Sequence, residues 1–155
     1  MEKLIKFDAG MYFAFSTLAR PGLKAKTCFE AIVNGERTST TRFEADSYAQ
    51  FHKWKSLKPG DIVRVWSKRW NKGLGKFGGD SLLIEITKNP KEIDLETIDR
   101  EEWSLVEGWS SKWIDHHINT GESLKGIQIR YTMVEGSLTH ETLPSDGQGT
   151  LTLNP

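Results

Sequence analysis

Gly35-Glu36-Arg37-Thr38-Ser39-Thr40-Thr41-Arg42 is the stretch that decides the reading of this chain. Before it, Ala25, Cys28, Phe29, Ile32 and Val33 recur at helical spacing and give one apolar face. Asn34-Gly35 supplies a left-handed stop, because glycine tolerates positive φ. After it, Ser39 to Phe43 is rich in threonine, which suits a pleated strand. The end of a helix thus delivers the guanidinium groups of Arg37 and Arg42 and a row of hydroxyls to one place. Guanidinium forks match phosphates and carboxylates bidentately. Hydroxyls bond phosphate, or act as nucleophiles when a base activates them. The plainer reading is a surface helix–strand junction with solvated arginines.

The rest of the chain bounds what that stretch can do. Its 155 residues predict one compact domain with enough chain to bury a core. Lys and Arg total 21 and Asp and Glu total 21, so overall charge carries no argument for nucleic acid. Local charge does. Lys53, Lys55, Lys58, Arg64, Lys68, Arg69, Lys72 and Lys76 face Asp61 alone within one stretch. Between Lys91 and Glu107 the acids dominate: Glu92, Asp94, Glu96, Asp99, Glu101, Glu102 and Glu107, against Lys91 and Arg100. Such asymmetry marks a partner surface, or two stretches that attract each other across the fold. The single cysteine, Cys28, lies on the apolar helix face and reads as a core residue. No signal peptide or membrane-length apolar run is evident, so a cytoplasmic location is expected.

Further elements follow from pattern. Leu4 to Phe7 and Met11 to Phe15 read as short strands, Leu23 to Asn34 as a helix, and Ala45 to Leu57 as partly helical. Pro59-Gly60-Asp61 is a turn before the strand Ile62 to Ser67, which pairs antiparallel with Leu82 to Thr87. Lys68 to Gly79 between them reads as a long glycine-rich loop. Asn89-Pro90 breaks the chain, and Ile98 to Val106 is helical. Ser110 or Ser111 caps a helix with Trp113, Ile114, His117 and Ile118 on its buried face. Ile127, Ile129, Tyr131 and Met133 alternate with polar residues, a half-buried strand. Residues 1–134 form the expected domain. Residues 135–155, rich in Ser, Thr, Gly and Pro, form a polar extension or a peripheral hairpin.

In order and approximate spacing, four features resemble the ASCH family of the PUA-like superfamily. They are the helix, the Gly-x-[Lys/Arg]-Thr-x-Thr-x-Arg stretch, the Pro-Gly-Asp-x-Val turn and strand, and Glu107-Gly108-Trp109-Ser110. The resemblance runs from about Lys24 to Val134. It implies an α+β fold: a partly closed antiparallel or mixed β-barrel of five or six strands flanked by helices. The residues alone support α+β, mostly antiparallel.

Two chemistries follow. Lys68, Arg69, Lys72 and Lys76, interleaved with Trp66, Trp70 and Phe77, make a platform where cations meet phosphates and aromatic faces stack bases. Trp109, beside Glu107, is placed on a pocket wall, since PUA-like domains hold bases in aromatic-lined pockets. The expected partner is therefore RNA, single-stranded nucleic acid or a nucleoside-like small molecule. The second chemistry is hydrolysis. Small bacterial ASCH proteins that resemble this chain cleave the amide of acylated cytidine with a lysine, a threonine and a glutamate. The threonine falls on Thr40 and the glutamate on Glu107, but the lysine position is Arg37. Lysine gives up its proton when buried and arginine does not. Arg37 instead suits oxyanion or phosphate stabilisation, leaving Glu107 as base. Other ASCH proteins cleave RNA with a basic residue here. A protein-interaction module using the acidic stretch and the tail is a third class. No cofactor and no metal site are read: His116 and His117 point about 100° apart on a helix, and His52 and His140 are isolated.

Overall fold

The computed structural model describes residues 4–10, 23–43, 48–71, 73–107 and 125–141. Its strands are β1 (Ile5–Gly10), β2 (Ser39–Arg42), β3 (Ile62–Asn71), β4 (Lys76–Ile86), β5 (Lys91–Asp94) and β6 (Lys125–Met133). Helices α1 (Cys28–Val33), α2 (Tyr48–Lys55) and α3 (Arg100–Glu107) flank them. They build a six-stranded sheet in the order β1-β3-β4-β6-β2, with β5 also on β6. Among the described residues only β1 and β3 run parallel; the other pairings are antiparallel. The expected α+β class and strand number hold. The expected barrel closure does not: β1 and β2 stand at opposite ends of the strand order, and the sheet is open.

β6 organises the sheet. One edge takes β2 from Ser39↔Arg130 to Arg42↔Ile127. The other takes β4 at Ile84↔Met133 to Ile86↔Tyr131, then β5 at Lys91↔Gln128 to Asp94↔Lys125. The chain thus follows β6 along β4, breaks at Asn89-Pro90, and rejoins it as β5. Ile127, Ile129 and Tyr131 of β6 meet Val63 and Val65 of β3, Leu82, Ile84 and Ile86 of β4, and Cys28, Phe29 and Ile32 of α1 in the core. Gln128, on the other face of β6, is buried as well.

Local chemistry explains where elements start and stop. α1 begins later than the periodicity predicts. Thr27 and Glu30 form a capping box, each side chain bonding the other's backbone N–H. Ahead of that cap, Glu36 holds the N–H groups of Lys24 and Ala25, so those residues serve as a clasp rather than as helix. The expected loop from Lys68 to Gly79 is mostly strand: β3 runs to Asn71 and β4 starts at Lys76, with Trp70 opposite Phe77. Register shifts between Trp66 and Trp70 absorb the glycines. The expected strand Met11 to Phe15 and the helix after Ser110 lie outside the described residues.

Candidate functional site

β2 is four residues long, polar throughout and fully buried. It brings the sequence-predicted residues to the end of α3. The carbonyl of Ala31 accepts from the N–H groups of Glu36 and Arg37, turning the chain back after α1. Thr38 then donates its N–H to Val106 O at 2.8 Å, and its carbonyl accepts from Tyr131 N at 3.0 Å. This bridge pins the last turn of α3 beside β2 and sets Glu107 against it.

The side chains converge. Ser39 Oγ donates a hydrogen bond to Glu107 Oε2. Arg37 Nε donates to Ser39 O at 3.1 Å, and Nη2 donates to Thr40 Oγ1 at 3.2 Å. The same Nη2 lies 4.0 Å from Glu107 Oε1, an ion pair at the outer limit of contact. Trp103, one turn back on α3, donates Nε1–H to Thr41 Oγ1 at 3.0 Å. Arg37, Thr40 and Glu107 are 2%, 1% and 0% exposed. A charged pair with its hydroxyls is thus closed off from water.

That burial sets the electrostatics. Burial pushes the Glu107 carboxyl above its usual range, against the opposing pull of Arg37, Ser39, Thr41 and Gln128. Burial also acts to lower the Arg37 pKa, but Tyr131, Cys28 and Glu107 around it raise it on balance. Arg37 therefore stays a permanent cation. Burial likewise pushes up the Cys28 thiol and the Tyr131 phenol, both of which feel Arg37.

Not all expected residues join this cluster. Arg42, also buried, lays its guanidinium carbon 4.7 Å from the centre of the Trp54 ring, a cation–π contact. Trp54 in turn meets Phe7 edge-on at 5.6 Å. Lys68 is exposed on β3 and pairs with Glu141 at 3.5 Å. Arg69 and Trp70 belong to β3 and Lys76 to β4. Lys72 and Trp109 lie outside the described residues. Ser39, Thr41, Trp103, Gln128 and Tyr131 were not among the sequence candidates. Strand alternation held the signal for the first two, since residues 39 and 41 share one side of β2 and Thr40 and Arg42 the other. Of three surface hollows formed by described residues, none is lined by Arg37, Thr40, Arg42 or Glu107. One, between β5, β6 and α3, has Trp103 and Gln128 in its wall. Among the described residues no group of His, Cys, Asp or Glu is arranged to hold a metal ion, and no helix is long and apolar enough to cross a membrane.

No family model matches the chain, and no curated protein matches it. Solved structures to which the chain is similar include an ASCH domain from Lactobacillus crispatus JV V101, at 14% identity and a TM-score of 0.47. That match covers 82% of this chain and 79% of the other. A DUF984 protein from Enterococcus faecalis V583 is similar at 14% identity and a TM-score of 0.44, over 70% of this chain. The match spans 66% of that protein, just under two thirds.

Proposed function

We propose that this chain is an ASCH-type, PUA-like domain that binds RNA, single-stranded nucleic acid or a nucleobase-containing ligand. The observation that carries the reading is the meeting of Arg37, Thr40 and Glu107. They come from two separate motifs, and Arg37 reaches both Thr40, at 3.2 Å, and Glu107, at 4.0 Å. A carboxylate, a guanidinium and hydroxyls at one point are the acceptors and donors that the edge of a nucleobase requires, and a ligand reaches this cluster, closed off from water in the free chain, only when it opens. The basic ribbon of β3 and β4, carrying Lys68, Arg69 and Lys76, supplies cations for a phosphate backbone. The same strands carry Trp66, Trp70 and Phe77, residues of the type on which bases stack.

The test is fluorescence anisotropy with labelled single-stranded RNA and DNA across a salt series. Affinity should fall as salt rises, because lysines and arginines release condensed counterions. Neutralising Lys68, Arg69, Lys72 and Lys76 together should lower it further and flatten the salt slope. Absence of binding, or binding indifferent to both changes, rejects the nucleic-acid reading and points to a small neutral ligand.

One observation favours a second reading, a hydrolase acting on an acylated nucleoside or on RNA. Glu107 is a buried carboxyl whose pKa is raised, as general acids and bases are. Against efficient amide hydrolysis stands Arg37, which cannot release a proton at working pH. Wild type should leave acylated cytidine intact, and Arg37→Lys should create turnover that Thr40→Ala abolishes. Brisk wild-type turnover, followed by chromatography, overturns the binder reading. Strand cleavage of RNA that is lost in Arg37→Ala selects the ribonuclease reading.

A further inference from the structure

The ribbon of β3 and β4 carries an irregularity with a chemical consequence. Pairing steps from Trp66↔Ser81 to Lys68↔Gly78, which leaves Gly79 and Asp80 opposite Ser67 alone. This is a β-bulge, and it takes backbone N–H groups out of the ladder. Ser67 Oγ accepts one of them, from Asp80 at 2.8 Å. The other, Gly79 N–H, donates to the Glu141 carboxylate instead. Glycine is required there: φ is +80°, and a Cβ would lie 2.3 Å from Ser67 Oγ and 2.9 Å from Lys68 Cγ. A backbone donor and an ammonium on one bulge make an anion-binding concavity.

An anion already sits in it. Glu141 accepts from Gly79 N at 3.4 Å through Oε1 and meets Lys68 Nζ at 3.5 Å through Oε2. The segment that brings it is fixed by backbone bonds in both directions between Ser81 and Thr139, and by Glu141 N donating to Asp80 Oδ1 at 2.9 Å. Asp80 is occupied on its other oxygen by His140 at 3.3 Å. Both contacts of the Glu141 carboxylate are long, at the limit of hydrogen bonding, and Lys68 and Glu141 are each about half exposed. The carboxylate is held loosely enough to be displaced.

We infer that Lys68 Nζ and Gly79 N–H form a phosphate-binding site, which the chain's own Glu141 carboxylate fills in the absence of ligand. The inference rests on the nucleic-acid reading for the source of that phosphate, a strand lying along the ribbon. Glu141 is then an internal competitor. Its removal opens the site and deletes a negative charge beside the incoming phosphate.

The test uses the full chain as wild type, Glu141→Gln and Lys68→Gln. Each is titrated with inorganic phosphate, followed by the Gly79 amide signal in NMR, and with a labelled single-stranded RNA of roughly ten nucleotides. Glu141→Gln should bind RNA about two- to fivefold more tightly at low salt. Its Gly79 signal should also move further with phosphate than that of wild type. Lys68→Gln should lose both responses. Hydrogen exchange at Thr139 reports whether residues 139–141 stay docked, and it should be unchanged in Glu141→Gln. RNA affinity equal in wild type and Glu141→Gln, with Gly79 silent to phosphate in both, overturns the inference and leaves the proposed function standing. Phosphate response at Gly79 without RNA binding upholds the site and removes the nucleic-acid reading instead.

Discussion

Replacing Arg37 with methionine tests the central cluster most directly. Methionine keeps most of the aliphatic stem, so little volume is lost, but the charge and its donors go. Arg37 is buried, and its guanidinium serves Ser39 O, Thr40 Oγ1 and the Glu107 carboxylate. Its removal strands a fully buried carboxylate. Breaking such a pair on one side typically costs about 3–5 kcal/mol, because the remaining charge stays desolvated. Domains of this size are stable by about 5–15 kcal/mol, so the variant should fold while losing a large share of its margin. With a urea dependence of about 2 kcal/mol per M, the unfolding midpoint should drop by roughly 1.5–2.5 M.

Two refinements make the reasoning refutable. Glu107 can escape its cost by taking a proton, so the penalty of Arg37→Met should be smaller at pH 5 than at pH 8. The double variant Arg37→Met/Glu107→Gln removes the stranded charge, and should be more stable than Arg37→Met alone at pH 8, with a coupling of at least about 1 kcal/mol. Urea denaturation followed by tryptophan fluorescence measures all of these. A loss under about 1 kcal/mol for Arg37→Met, or strict additivity in the double variant, refutes the claim that the two charges depend on each other.

Three further outcomes follow from the geometry. Glu107 has a folded pKa above its ordinary value of 4.5, so the native state keeps its proton to a higher pH than the unfolded chain does. Its contribution to stability is therefore complete below about pH 4.5 and declines as pH rises through the raised value; Glu107→Gln should lose that decline, seen in urea midpoints from pH 4.5 to 8. Gly126→Ala would set a Cβ 2.6 Å from Arg42 O and 2.8 Å from the Phe43 ring, so it should cost about 1–3 kcal/mol in thermal or urea unfolding. Trp103→Phe keeps the ring packing but removes the donor to Thr41, and should cost about 1 kcal/mol by the same measurement.

The elements that the sequence foretells are those governed by local chemistry. The stop at Asn34-Gly35 is realised, with Gly35 at φ 75°. The Pro59-Gly60-Asp61 turn is closed by Asp61 N bonding Lys58 O and by the Asp61 carboxylate on Lys58 N. β5 was not foreseen, because Lys-Glu-Ile-Asp has no apolar alternation; it is a strand because β6 offers it an edge. The ribbon read as loop for a related reason: glycine marks flexibility locally, but the pairing partner across the bulge is a tertiary fact. Within the site, the motif groups Arg37, Thr40 and Glu107, and in the fold Arg37 lies between the other two. It also grouped Arg42 with them, although residue 42 lies over Trp54. That ring belongs to α2, and nothing in the local pattern announces it.

The composition of β2 is the point at which stability and function part. Ser39, Thr40, Thr41 and Arg42 are all buried, where valine or isoleucine would contribute favourable transfer free energy without needing partners. Hydroxyls in that position require bonds, and the chain supplies them from α3 and from Arg37. Apolar replacement of a buried ionic group is often neutral or stabilising, so the packing of the domain gives no reason for this arrangement. On the proposed reading the reason is a polar ligand, which would meet donors and acceptors already oriented towards one another. Arginine at position 37 then narrows the chemistry. A lysine could exchange its proton with Glu107 and share in acid–base work. The guanidinium stays charged throughout and leaves Glu107 as the only group of the predicted triad able to titrate. On the proposed reading, a fixed cation beside one titratable carboxyl suits holding a polar or anionic ligand better than cleaving an amide.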